Sequence, residues 1–307
     1  MLLNPDCIPC IMAQVDRVAD ELSWPDERRK ALRSAATRTA AAIDPTGLTA
    51  PEFSAQIYQL VTRISGVTDP YAEAKRRQNA TAKACLPAFR ERIGRDPDSL
   101  AVAVQLALLG NLIDLGNAGV PDATPLYGET AVEPAARNAA GELRHRLDGA
   151  DTLLYIGDNA GEAVLDALLI AELRRIRPAL RVVFAVRGGP AINDVIEADA
   201  RDAGLAEVAE IVSSGCHFAG TIPRRASPSF RRLFAQADLV VSKGQGNFET
   251  LEGEEREILF LFKVKCAMVA RHTGWPLGTS VAAWGPAWRG ETETPASRSH
   301  QDQGEAK

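Results

Sequence analysis

Three places in this sequence set oxygen-bearing or cationic side chains directly behind a short apolar run. Leu153 to Ile156 ends at Gly157 and is followed by Asp158, Asn159, Ala160, Gly161 and Glu162. Arg181 to Val186 leads into Arg187-Gly188-Gly189-Pro190, with Asn193 and Asp194 just beyond, and Asp238 to Val241 leads into Ser242-Lys243-Gly244-Gln245-Gly246-Asn247. Asp158, Asn159 and Asp194 are hard oxygen donors with no His or Cys beside them, a set that favours a divalent ion such as Mg²⁺ or Mn²⁺ over a thiolate zinc site. Capping of a helix that begins near Gly161 would account equally well for Asp158 and Asn159 taken alone. The Asp194 and Lys243 segments weigh against that, because they end neighbouring strands and add complementary groups to the same edge. Lys243 stands before Gly244 and Gly246, where glycines let backbone N–H groups approach an anion and the lysine adds a fixed charge. The order of residues is neither a P-loop nor a dinucleotide fingerprint. Ser214-Gly215 is open to two readings, an anion contact or an ordinary turn.

The helical half of the chain adds Asn79, four residues after Lys75 and so on one helix face with it, and Asn111 with Asp114 behind the apolar run Leu100 to Leu109. For Asn111 and Asp114 a structural cap is an equal alternative. Of the four histidines only His217 lies close in sequence to a candidate segment. No Gly-x-Ser-x-Gly elbow is present, and no cysteine carries the local signature of a nucleophile. Cys7-Ile8-Pro9-Cys10 has metal-clip spacing, but no second pair answers it at the separation a zinc ribbon needs.

The elements that must position these groups change character along the chain. From Ile8 to about Leu109 apolar residues recur at three- and four-residue spacing, as in Glu52 to Ile64 and Pro70 to Ile93, which predicts an all-helical region. From Leu153 onward strands are expected near 153–156, 181–186, 209–213, 238–241 and 266–270, with helices near 161–175, 192–203, 228–236 and 253–262. That alternation predicts an α/β fold built of βαβ units with a mostly parallel sheet. In such sheets ligands bind in the crevice beyond the carboxyl ends of the strands. The expected organisation is a helical region over 1–120, a metal- and phosphate-binding domain over 121–285 and a disordered tail over 286–307, where apolar residues are sparse.

The 307 residues are 46% hydrophobic with a formal net charge of -5, enough chain for a real core and the wrong sign for a nucleic-acid footprint. No apolar stretch approaches the roughly 18–20 residues that span a bilayer. The first residues lack a basic n-region and a long apolar stretch, so no signal peptide is expected and a cytoplasmic location follows. Five scattered cysteines fit a reducing compartment better than a disulfide framework. Neither nucleic acid nor membrane is expected as a partner, and oligomeric state is not legible.

Taken together, Asp6-Cys7-Ile8-Pro9-Cys10, Asp69-Pro70-Tyr71 with Lys75 and Asn79, Gly110-Asn111 with Asp114, Gly157 to Glu162, Gly189-Pro190 with Asn193-Asp194, and Lys243 to Glu249 resemble the DUF89 family of metal-dependent damage-control phosphatases, in its cysteine-containing prokaryotic branch. The resemblance runs from about Asp6 to Ala283. It implies a helical region packed on a Rossmann-like αβα domain, a divalent metal (Mn, Co, Ni or Mg) held by Asp158, Asn159 and Asp194, and phosphate binding helped by Lys243. It also implies hydrolysis of small phosphate monoesters such as sugar phosphates or phosphopantetheine-like metabolites.

On this reading Asp158 and Lys243 are the catalytic residues, and the substrate contacts are Asn79, Asn111, Asp114, Ser214, Gly215, Lys243, Gly244, Gly246 and Asn247. A metal-activated water is favoured over attack by Asp158, since a carboxylate committed to a metal is a poorer nucleophile. Two rivals are a methyltransferase using S-adenosylmethionine, which would lack its usual Gly-rich first loop here, and a non-catalytic metabolite- or metal-binding protein.

Overall fold

The computed structural model describes residues 1–110 and 131–285. Six helices come first: α1 (Ile8–Glu21), α2 (Asp26–Ala42), α3 (Ala50–Ser65), α4 (Ala72–Ala84), α5 (Leu86–Arg95) and α6 (Ser99–Leu109). Helix α3 starts at a capping box, with Thr49 and Glu52 each accepting the other's backbone N–H, and stops at Gly66 in the left-handed region with φ 72°. The pattern from Pro70 to Ile93 forms two helices rather than one, broken at Cys85. Pro87 sits in the first turn of α5, where its missing N–H costs nothing, but inside a continuous helix it would remove a hydrogen bond and clash with the preceding turn.

After α7 (Pro134–Leu147) the alternating part runs β1 (Thr152–Ile156), α8 (Glu162–Ile176), β2 (Arg181–Val186), α9 (Glu197–Asp202), β3 (Glu210–Ser213), α10 (Pro228–Gln236), β4 (Leu239–Lys243), α11 (Gln245–Leu251), β5 (Ile258–Lys263), α12 (Ala267–Thr273) and β6 (Ser280–Gly285). The sheet order is β3-β2-β1-β4-β5-β6. All neighbours are parallel except β6, which runs antiparallel to β5.

Two expectations are corrected here. The strand placed at 266–270 and the helix placed at 253–262 exchange roles: β5 occupies 258–263 and α12 occupies 267–273. Ile258 to Phe262 is buried on both faces of the sheet, so it shows no alternation that would separate it from a helix core. The helix expected over 192–203 shortens to α9, because residues 192–196 turn back toward the end of β1.

Helices α6 and α8, parts of α5 and α7 and Ala82 of α4 share one apolar cluster with one face of the sheet, including Leu153, Tyr155 and Val241. Helix α6 is buried all round, as a helix apolar on every side must be. The sheet's core therefore draws on helices well before residue 120. The opposite face packs under α10, α11 and α12, and a separate cluster holds α1, α2 and α3 together. No helix among the described residues is long and apolar enough to cross a membrane.

Helix α4 fastens the helical layer to the sheet through polar contacts. Lys75, fully buried, reaches Asp69 at 2.6 Å and Asp199 at 2.7 Å. Asn79 donates to the Asp199 carbonyl at 3.1 Å and to Asp202 at 2.7 Å, and its own oxygen accepts the Gly161 N–H at 2.6 Å.

Candidate active site at the switch of the sheet

Strand order reverses between β1 and β4, and a crevice opens there because the connections on the two sides leave in opposite directions. The loop after β1 is pinned to the loop after β2 by backbone hydrogen bonds. Val195 N–H donates to the Asp158 carbonyl at 2.8 Å, Ala160 N–H to the Asn193 carbonyl at 3.0 Å, and Asn159 and Asp194 form an isolated bridge. Asp158, Asn159 and Asp194, far apart in sequence, are thereby set side by side, each nearly buried at the edge of one cavity.

Their side chains meet a residue that the sequence reading left unassigned. Arg187, 2% exposed, donates to Asp194 at 2.6 Å and lies 3.5 Å from Asp158. It also donates to Thr221 at 2.8 Å and to Asn247 at 3.0 Å. Asn159 donates to Asp158 at 3.1 Å and to Glu162 at 2.9 Å, which leaves its amide oxygen without a donor among the described residues. Behind Asn159 lies a second buried group, in which Lys243 reaches Asp166 at 2.7 Å and Glu162 at 3.2 Å, and the Tyr155 hydroxyl donates to Asp166 at 2.7 Å.

Burial drives the Asp158 carboxyl well above its ordinary range, and the facing Glu162 and Asp194 carboxylates add to the rise against Arg187 and Lys265. Burial likewise pushes Asp194 up to about 6 despite Arg187, and Asp166 up to about 6 despite Lys243. Burial alone would lower Lys243, but the Asp166 and Glu162 carboxylates outweigh it and raise it. Four buried carboxylates (Asp158, Glu162, Asp166, Asp194) thus face two buried cations (Arg187, Lys243), and with all four ionised they would stand two positive charges short of neutrality. A divalent cation would supply that difference. The accessible donors, two carboxylates and one amide oxygen, are of the hard type such an ion prefers. Among the described residues no three His, Cys, Asp or Glu side chains are grouped as metal ligands; the amide of Asn159 is the third donor here.

Several expected roles change. Lys243 is fully buried among carboxylates rather than presented to the cavity, so it is not placed as a phosphate-facing cation. Asn247 is also fully buried: it donates to the carbonyls of Gly157 at 3.0 Å and Lys243 at 2.6 Å and accepts from Arg187 and the Thr221 N–H, which ties the ends of β1 and β4 together. Gly244 is needed for another reason than anion binding. With φ 81° it packs under Asp158, and a Cβ there would overlap that carboxylate. Gly246 does line the cavity. Ser214 and Gly215 belong to a turn: the Ser214 hydroxyl accepts the Cys216 N–H at 3.2 Å, and Gly215 packs too closely on Gly188 for a side chain at Gly188. Neither lines the cavity. Asn79 spends its amide on α9 and on Gly161, so it is a strut and not a substrate contact. Asn111 and Asp114 lie outside the described residues.

The cavity measures about 730 Å³. One wall carries Asp158, Asn159, Asp194 and Gly246, and the facing wall comes from the helical layer through Gln14, Ser54 and Gln78. Lys265, just after β5, lines it as well, close enough for its charge to oppose the rise of Asp158. It was overlooked because β5 itself was misplaced. Arg187 had a visible signal, a charged residue directly behind five buried apolar ones. Glu162 and Asp166, four apart on the inward face of α8, had the same kind.

A Rossmann-like sheet with buried carboxylates at its switch point defines a class of α/β proteins with a ligand site at the strand ends. Matching to family models narrows this, since residues 3–281 match the damage-control phosphatase ARMT1-like domain. The chain belongs to that family, also called DUF89. It is 32% identical over 288 residues to damage-control phosphatase PH1575 of Pyrococcus horikoshii, covering 92% of this chain and 97% of that one. It is 34% identical over 233 residues to a damage-control phosphatase of Archaeoglobus fulgidus, covering 74% and 80% of the two chains. The crystal structure of the Pyrococcus horikoshii DUF89 protein superposes with a TM-score of 0.82 at 28% identity, over 92% of this chain and 98% of that one.

Two outcomes follow from the charge arrangement. Lys243→Met leaves Glu162 and Asp166 facing each other in the core, and urea unfolding should show a loss of about 3–5 kcal/mol; a change under about 1 kcal/mol would mean the pair is not buried as described. Asp166 and Asp194 hold protons more tightly folded than unfolded, so the stability they confer is lost as pH rises through about 6. The melting temperature of the metal-free protein should therefore fall between about pH 4 and about pH 6 and level off above that, and the fall should be less steep in Asp194→Asn.

Proposed function

We propose that this chain is a metal-dependent phosphatase acting on small phosphate monoesters, such as sugar phosphates or phosphopantetheine-like metabolites, in metabolite damage control. The observation that carries this reading is the surplus of two negative charges among the buried groups at the switch point, next to three hard oxygen donors that face a cavity. Asp158, Asn159 and Asp194 would hold the ion. Bound there, a divalent cation supplies charge neutralisation for a phosphate oxygen and acidifies a water, the two things that phosphate ester hydrolysis most lacks in solution.

The chain's own residues do the rest. Arg187 holds both carboxylates in one orientation from behind, at the edge of the cavity, where they can orient an attacking water. Glu162, fixed by Lys243, holds the Asn159 amide by its nitrogen and so aims the amide oxygen. Lys265 is the cavity cation best placed for the outer phosphate oxygens, in the role first assigned to Lys243. Gln14, Ser54 and Gln78 offer polar atoms for the organic part. A cavity of about 730 Å³ has room for more than phosphate, within the usual range for small-molecule pockets.

Hydrolysis of p-nitrophenyl phosphate should require Mn²⁺, Co²⁺, Ni²⁺ or Mg²⁺ and stop with EDTA; turnover that survives EDTA would refute the metal assignment. Asp158→Ala and Asp194→Ala should each lose this activity while keeping the far-ultraviolet circular dichroism of the parent. Lys265→Ala should lower kcat/KM by about 10²-fold, on the order of an electrostatic donor aimed at developing charge. Its metal titration and melting temperature should stay at parental values. If Lys265→Ala turns over like the parent, the phosphate is held by other groups.

A further inference from the structure

The cavity has a third kind of wall, made of sulfur, which the hydrolytic reading does not use. Cys7, Cys10 and Cys266 all line it, and all five cysteines of the chain are free. Cys7 closes the turn Pro5–Cys7 and caps α1 with helical backbone angles, φ -78° and ψ -27°, and Cys10 follows in the first turn. Side chains three apart on a helix lie on one face with Cβ atoms about 5–6 Å apart, and a disulfide asks for about 3.5–4.5 Å, a gap that a slight tightening of one terminal turn closes. Cys266 is engaged differently: its sulfur caps α12, accepting the Val269 N–H and the Gln245 amide, each at 3.5 Å.

We propose that Cys7 and Cys10 are an oxidation site on the cavity wall, converted reversibly to a disulfide by a small-molecule disulfide. Cys10 is exposed and attacks first, while Cys7 is half-buried and resolves. The Cys10 thiolate displaces one thiol from the oxidant and forms a mixed disulfide; the Cys7 thiolate then attacks the Cys10 sulfur and releases the second thiol. Two protein thiols and one external disulfide thus become one protein disulfide and two external thiols. Burial raises the Cys7 thiol above its ordinary value against a hydrogen bond from the Asn4 backbone, and Glu249, Cys266 and Cys10 add to the rise, which disfavours Cys7 as the first attacker; it gives up its proton to solvent when it resolves the mixed disulfide. Cys266 would have to abandon its two hydrogen bonds to compete. Asp6, next to Cys7, pairs with Arg271 at 2.9 Å, and both line the cavity, so tightening this turn is felt at the site.

The test treats the reduced full-length protein with oxidised glutathione and maps alkylated peptides by mass spectrometry. The expected result is two thiols lost per chain, both in the peptide that carries Cys7 and Cys10, and both regained with dithiothreitol. Cys7→Ser should stop at a glutathione adduct on Cys10, and Cys10→Ser should take up none at Cys7. Unmodified thiols, a cross-link to Cys266, or zinc retained by the reduced protein with both thiols shielded would each overturn the proposal, the last in favour of a thiolate metal site. None of these readouts depends on phosphatase activity. A further readout rests on the proposed function: oxidation should raise KM for p-nitrophenyl phosphate at least threefold in the parent and not in Cys7→Ser, and an unchanged KM would overturn the link to the cavity.

Discussion

Charge buried without enough opposite charge is the constraint on which the rest of this structure depends. A carboxylate moved out of water loses several kcal/mol of solvation, and only close cations, hydrogen bonds or a bound proton restore it. Here Arg187 and Lys243 each stand against two carboxylates, and burial outweighs them, so that Asp166 and Asp194 hold their protons up to about pH 6. Such an arrangement is tolerable in a protein that binds a cation, and hard to account for in one that does not. A cation bound there would stabilise the site by the same charge that would make it reactive.

Holding these charges in place takes rigid geometry. Asn247 bonds to the backbone at the ends of both β1 and β4, the two strands between which the crevice opens, and also receives Arg187. Gly244 lets the Asp158 carboxylate rest on the backbone. Asp166 Oδ2 is without a partner among the described residues, but the other contacts link groups that are individually buried, so removing one leaves others unpaired in a medium of low dielectric. The helical layer then closes the cavity from the other side, anchored by Lys75 and Asn79.

Much of this was legible in the sequence, for a physical reason: a buried parallel strand must be apolar, so a polar residue at its tip stands out. Asp158, Asn159 and Asp194 stand out this way, and the structure sets them side by side. Lys243 was found too, yet given the wrong task, because strand-tip position says nothing about which way a side chain turns; two carboxylates on α8 draw it inward. Asn79, Ser214, Gly215 and Asn247 were read as contacts because polar residues near a site look alike in sequence whether they hold the ligand or the loop that holds it. β5 was misplaced because a strand buried on both faces has no period, and Lys265 was lost with it.

One contact of α4 has a consequence for how such a site can diversify. The Asn79 oxygen accepts the N–H of Gly161, one residue from Glu162, so α4 is tied directly to the loop after β1. Gln78, the neighbour of Asn79, belongs to that frame, whereas Gln14 and Ser54 stand on α1 and α3, whose apolar residues pack in a cluster apart from the sheet's own. The cavity is lined half by a fixed frame and half by an exchangeable facing. Changes in α1 and α3 can recut the space for the organic part of a substrate without disturbing the carboxylates, and so one hydrolytic frame can serve descendants with different diets.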